Sequence, residues 1–303
     1  MYIHDSINNI FEQTSEHLPH PSWRTWLIGH PLSTADAPSQ TIGKLIGLAV
    51  FSSDALSSVA YGPQEILTVL IAAGISSLGL SLPIAIGIVT LLAILTFSYE
   101  QTIHAYPGGG GAYIVARDNL GELPAQTAGA ALLTDYVLTV SVSISSGVAQ
   151  IVSAYPGLYP WRVWIAVAMI LIIMLINLRG VKESGITFAV PTYFFLVMIY
   201  ATVGIGLFRF IAGNLGVVSN PPAVPLSALQ PITLFMILRA FANGTSSVTG
   251  VEAISNGITA FKNPRSDNAG KTLMWMAIIL GSLLLVVTFL SVHIQAIPGE
   301  SET

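Results

Sequence analysis

LIGLAVFSSDALSSVAYGPQEILTVLIAAG, residues 45–74, is long and apolar enough to cross a bilayer, yet it carries Asp54 and Glu65. It also holds Ser52, Ser53, Ser57, Ser58, Tyr61, Gly62 and Pro63. Hydrocarbon offers nothing to a carboxylate or to backbone groups freed by a proline, so something polar must meet this segment inside the membrane. The Gly62-Pro63 pair predicts an interruption of the helix. Where the segment is helical, Asp54, Ser57, Ser58 and Tyr61 fall at spacings of three, four and seven and share one face.

The rest of the chain places this stretch among others like it. Of 303 residues, 53% are hydrophobic and 9% charged, far below the roughly 25% charged typical of soluble domains, which makes this a membrane protein. There is no cysteine, hence no disulfide framework or thiolate metal site. A formal net charge of −4 gives no basic surface for nucleic acid, and no motif points to an enzyme or a cofactor. Residues 1–44 are polar and proline-bearing and read as a cytoplasmic N-terminal arm without a cleaved signal peptide.

Seven apolar runs follow, at about 45–74, 80–103, 125–150, 161–178, 187–211, 231–257 and 272–294. Each is expected to be helical, because so few segments cannot close a barrel. With the N-terminus inside, the inner segments hold Arg24, Lys44, Arg117, Arg179, Lys182, Lys262, Arg265 and Lys271, and the outer ones only Arg162 and Arg209. That bias favours a cytoplasmic N-terminus and an outer C-terminus in a multi-pass cell-membrane protein.

An internal echo links two of the runs. Ser57-Ser58-Val59, then Gly62 and Glu65, is matched by Ser246-Ser247-Val248, then Gly250 and Glu252. Five helices separate the copies, so the second is inverted. Interrupted spans at corresponding places in inverted halves point to a transporter's midplane site, whereas small residues alone would indicate only close helix packing.

The third run contributes a column, Asp135, Thr139 and Ser143, about 12 Å long at helical rise. Acids at the bilayer centre cost on the order of 2.5–3.5 kcal/mol each, and two facing one cavity repel. A bound cation or proton relieves both penalties. Carboxylate, hydroxyl and carbonyl oxygens suit an alkali cation or a proton better than zinc or copper. Pairing of Asp54 or Asp135 with Arg239, within the sixth run, is the structural alternative. Glu252, in an apolar stretch, is a protonatable carboxyl suited to proton coupling, or else a helix-end acid near Lys262. Glu65 and Glu100 lie nearer span ends and suit surface or gate contacts. Gly108 to Gly111 lack the pattern and the strand of a phosphate loop and read as a tightly turning gate segment.

The stretches SSDALSSVAYG (52–62), AYPGGGGAYIVARDNLG (105–121), TDYVLTVSVSISSG (134–147), NLRGVKESG (177–185) and TGVEAISNGITAFKNP (249–264) resemble the amino acid-polyamine-cation superfamily, and within it the KimA-type branch of the KUP potassium transporters. The resemblance implies an all-α transmembrane, LeuT-type inverted-repeat fold, truncated after about seven helices. The first repeat would occupy 45–211 and the start of the second 231–294, within a transmembrane domain at 45–294 and before a short tail at 295–303. It implies potassium uptake driven by proton symport. Asp54, Tyr61, Asp135, Ser143 and Thr249, with Thr139 alongside, would hold potassium, and Glu252 would couple the proton. Helices missing from the second repeat would come from a longer gene product or a partner chain, and a homodimer is open. An amino acid permease on the same fold is the competing reading, although Asp54 stands where such permeases bind a substrate carboxylate and would repel it. A non-transporting membrane sensor or an inactive truncated product comes next.

Overall fold

The computed structural model describes Trp23 and residues 40–178, 180–218 and 230–297. The described residues form helices and no strand. One isolated bridge joins Ile42 to Phe261. In chain order the α-helices are α1 (Lys44–Ile71), α2 (Ser81–Ala105), α3 (Gly111–Leu120), α4 (Glu122–Ala154), α5 (Arg162–Leu178), α6 (Val181–Ile211), α7 (Leu234–Gly244), α8 (Ala253–Asn256) and α9 (Arg265–His293). Most of the arm at 1–44, with Arg24, and most of the tail at 295–303 lie outside the described residues, as does Arg179.

Six of these segments, built on α1, α2, α4, α5, α6 and α9, are long and apolar enough to cross a membrane. The sixth expected span, 231–257, is interrupted, in keeping with the echo. It consists of the eleven-residue α7, a 3-10 turn at Thr245–Val248, and the four-residue α8. Thr249 is extended (φ −64°, ψ 151°) and Gly250 takes φ +81°, a combination that no α-helix accommodates.

The interruption expected in the first span does not occur. α1 runs unbroken for 28 residues with Pro63 inside it. A proline removes one backbone donor, and neighbouring helices and serine side chains can absorb that loss in a membrane helix. α3 is a second difference, because the segment after the glycine run forms ten residues of helix rather than continuing as loop.

α1 sits at the centre. Leu56, Val59, Ile66 and Leu70 are buried along it, and α2, α6, α7 and α9 pack around it. α2 presents Ile84, Ile88 and Leu92 at successive turns, while α9 presents Leu273, Met276, Leu280 and Leu284, so both bury one apolar seam. The N-terminal end of α1 is fixed differently. The Ile42 N–H donates to Ala260 O (2.8 Å), the Lys262 N–H donates to Ile42 O (3.0 Å), and the Phe51 and Phe261 rings stack at 5.3 Å. By contrast, α5 buries no residue and α4 only Ala125 and Val148, leaving long apolar faces for lipid or further helices.

The two echoed motifs touch. A Cβ on Gly62 would lie 2.5 Å from the Ser247 Cβ, so α1 and the 3-10 turn approach to backbone distance there. α7 is seated as closely. A Cβ on Gly244 would meet Ile66 Cγ1 at 2.5 Å and Ile88 Cδ1 at 2.6 Å. Gly244→Ala should therefore destabilise the bundle by about 1–3 kcal/mol through overpacking, read as a lower midpoint of thermal unfolding in detergent.

Candidate cation site

Asp54 lies midway along α1, and its surroundings come from three elements. Ser57 Oγ and Ser58 Oγ both donate back to the Asp54 carbonyl, at 2.7 and 3.0 Å, a local pattern that loosens a helix turn. Ser143 Oγ of α4 donates to the carboxylate Oδ1 at 3.5 Å. On the other side the carboxylate lies against backbone, since a Cβ on Gly250 would be 2.8 Å from Asp54 Oδ2. The positive φ of Gly250 and the proximity of the acid each call for glycine here.

One hydroxyl ties the elements together. The buried Ser58 Oγ lies 2.8 Å from Tyr61 Oη and 3.3 Å from Thr249 Oγ1, and Thr249 Oγ1 in turn donates to Ser246 O at 2.9 Å. Asp54, Tyr61, Ser143 and Thr249, four of the residues singled out in the sequence, thus converge through direct contacts or through Ser58. Asp135 is exposed and makes no hydrogen bond or ion pair among the described residues, but its charge reaches both Asp54 and Glu252. Thr139 is half-buried between Asp135 and Ser143 on α4 and makes no hydrogen bond among the described residues. Arg239 is exposed and pairs with neither acid among the described residues, contrary to the structural alternative.

Glu252 precedes α8 by one residue, and its Oε1 is buried without a hydrogen-bond partner. Tyr99 of α2 and Tyr136 of α4 lie within its electrostatic reach. Glu65 lines a cavity of about 1160 Å³ that opens beside the cluster, whose walls also include Ser57 and Tyr61 of α1, Ser143 and Gln150 of α4 and Thr192 of α6. Glu100 instead meets the His104 side chain (3.4 Å), which also lies 3.5 Å from Asp267 of α9.

Sequence reasoning missed three participants. Ser58 was visible one turn after Asp54, but nothing in the sequence marked it as the junction. Gly250 was noted in the echo without its contact to the acid. Asn256 and its partner Tyr136 are 120 residues apart, and no local signal joins them.

No group of three or more His, Cys, Asp or Glu side chains among the described residues could hold a metal ion through such ligands alone. The cluster is a set of hydroxyls around one carboxylate, chemistry that suits a monovalent cation replacing part of its hydration shell.

The fold and this cluster define a multi-pass membrane protein in which a continuous helix, α1, packs against an interrupted one. The chain belongs to the amino acid permease family, whose model ("Amino acid permease") matches residues 40–301, and within the amino acid-polyamine-cation superfamily it is KimA-like. It is 47% identical over 285 residues to the potassium transporter KimA of Bacillus subtilis (strain 168), covering 93% of this chain and 46% of that protein. Two Arabidopsis thaliana proteins are each 26% identical. The chloroplastic cationic amino acid transporter 6 matches over 62% of this chain and 35% of its own length, and transporter 7 over 75% and 38%. The chain spans less than half the length of these curated relatives.

Proposed function

We propose that this chain forms the cation-binding part of a potassium carrier driven by proton symport. The observation that carries the reading is the Asp54 carboxylate, held between Ser143 and Gly250 beside the Ser58, Tyr61 and Thr249 hydroxyls. An acid at such depth is functional by default, and these oxygens are the ligands an alkali ion takes. Asp135, Thr139 and Ser143 supply the facing wall, and Glu252 takes the proton. The N-terminus faces the cytoplasm at the cell membrane. The relative named as a potassium transporter, at 47% identity, supports the choice of ion.

Expressed from its complete native gene, the protein should restore growth of potassium-uptake-deficient cells at low potassium. Absence of rescue despite membrane expression would count against the reading. In proteoliposomes, an inward gradient of one pH unit should drive about tenfold rubidium accumulation per proton carried. Glu252→Gln should lose that accumulation while retaining downhill exchange.

The match to two proteins named as cationic amino acid transporters favours a second reading, an amino acid permease. Uptake of labelled amino acid that is abolished by Asp54→Asn, without potassium flux, would put it first.

A further inference from the structure

We propose that Asn256 is the catch of an inner gate beneath Glu252, joining the glycine run to α4. The run at Gly108 to Gly111 is unused by the cation site, yet it is the most constrained loop in the described chain. Gly109, Gly110 and Gly111 all have positive φ, at 78°, 98° and 44°. Glycine takes such angles without strain, and here they let the loop approach one residue. The Gly110 N–H donates to the Asn256 carbonyl at 3.3 Å. A Cβ on Gly109 would lie 2.9 Å from that same oxygen, and one on Gly111 would lie 1.8 Å from Asn256 Oδ1. From the other side, Asn256 Nδ2 donates to the Tyr136 hydroxyl on α4.

Asn256 and Glu252 belong to the same turn. The Asn256 N–H donates to Glu252 O at 3.1 Å, and Ser255 Oγ donates to that oxygen at 2.8 Å. Glu252 Oε1 and Asn256 Oδ1 are both buried without a partner among the described residues. The loop and Tyr136 therefore close over the turn that bears the acid, and water from the inner side reaches Glu252 only when the bonds to Asn256 part. Asn256 is a positioning residue. It acts through Tyr136 and the loop. Its connection to proton coupling rests on the reading of Glu252 above, while the catch itself does not.

These 303 residues hold no cysteine, so a single reporter can be placed among them, with any cysteine elsewhere in the complete protein first replaced by serine. Ser255 is fully buried and next to the catch. In inside-out vesicles carrying the complete protein, the reporter Ser255→Cys should react slowly with a small, charged thiosulfonate reagent. Tyr136→Phe, which keeps the ring and deletes only the hydroxyl, should speed that reaction about threefold to tenfold, the effect of one lost hydrogen bond on an opening equilibrium. Asn256→Ala and Gly111→Ala should do the same or more. In rubidium uptake, Asn256→Ala should also raise the flux that persists after the proton gradient is collapsed. An unchanged labelling rate in Tyr136→Phe overturns the catch, even where Asn256→Ala fails to fold. Faster labelling in a protein that carries no potassium keeps the catch and removes the potassium reading, so the two fail separately.

Discussion

Asp54→Asn is expected to weaken potassium binding by roughly 30-fold to more than 1000-fold and to abolish uptake at physiological concentrations, since losing one partner of a desolvated charge pair costs about 2–5 kcal/mol. The substitution keeps the side chain's size, so α1 should remain seated. Ser57 and Ser58 bond the Asp54 carbonyl rather than its carboxylate, and an amide oxygen can still accept from Ser143. Charge is the main loss. Rubidium binding to the purified protein, titrated against an inert organic cation, separates this from misfolding. Wild-type affinity in a well-folded Asp54→Asn protein would remove Asp54 from the site.

Gly250→Ala should be nearly as damaging, for a different reason. The backbone there has φ +81°, which costs an L-residue about 1–2 kcal/mol, and the new methyl would press on Asp54 Oδ2 at 2.8 Å. Relief requires moving either the carboxylate or the 249–252 segment, and both are parts of the proposed site. The expected result is a loss of at least about tenfold in potassium affinity, together with a lower unfolding midpoint, because the strain and a displaced ligand together exceed 1.4 kcal/mol. Thr249→Ser is the informative control. It keeps the Oγ that contacts Ser58 and should bind within about threefold of wild type, a tolerance in keeping with one modest hydrogen bond.

The sequence made α2, α4 and α5 legible to within about four residues because each is a long apolar run with clear polar ends, whereas α6 and α9 begin at Val181 and Arg265, well before the expected 187 and 272. Of the two breaks expected, in the first and sixth runs, only the second occurs. Gly62-Pro63 looks like the stronger helix breaker, yet a proline forfeits one hydrogen bond and leaves α1 continuous, whereas the unremarkable Thr249-Gly250 pair ends a helix outright through its backbone angles. The acids were legible because a carboxylate within an apolar span is costly wherever its partner lies. Their partners were not. The Ser58 to Thr249 and Asn256 to Tyr136 contacts depend on how helices far apart in sequence cross, which no local periodicity encodes. α3 was hidden by the glycine run, because the last glycine of that run is also the first residue of the helix.

The Ser58 to Thr249 contact joins residues 191 positions apart, so the site has an order of manufacture. At about 5–20 residues per second, α1 leaves the ribosome roughly 10–40 s before Thr249 and Gly250 exist. During that interval Asp54 must be sheltered from lipid by a proton, by water or by the translocation machinery, since the backbone that will later lie against it has not been made.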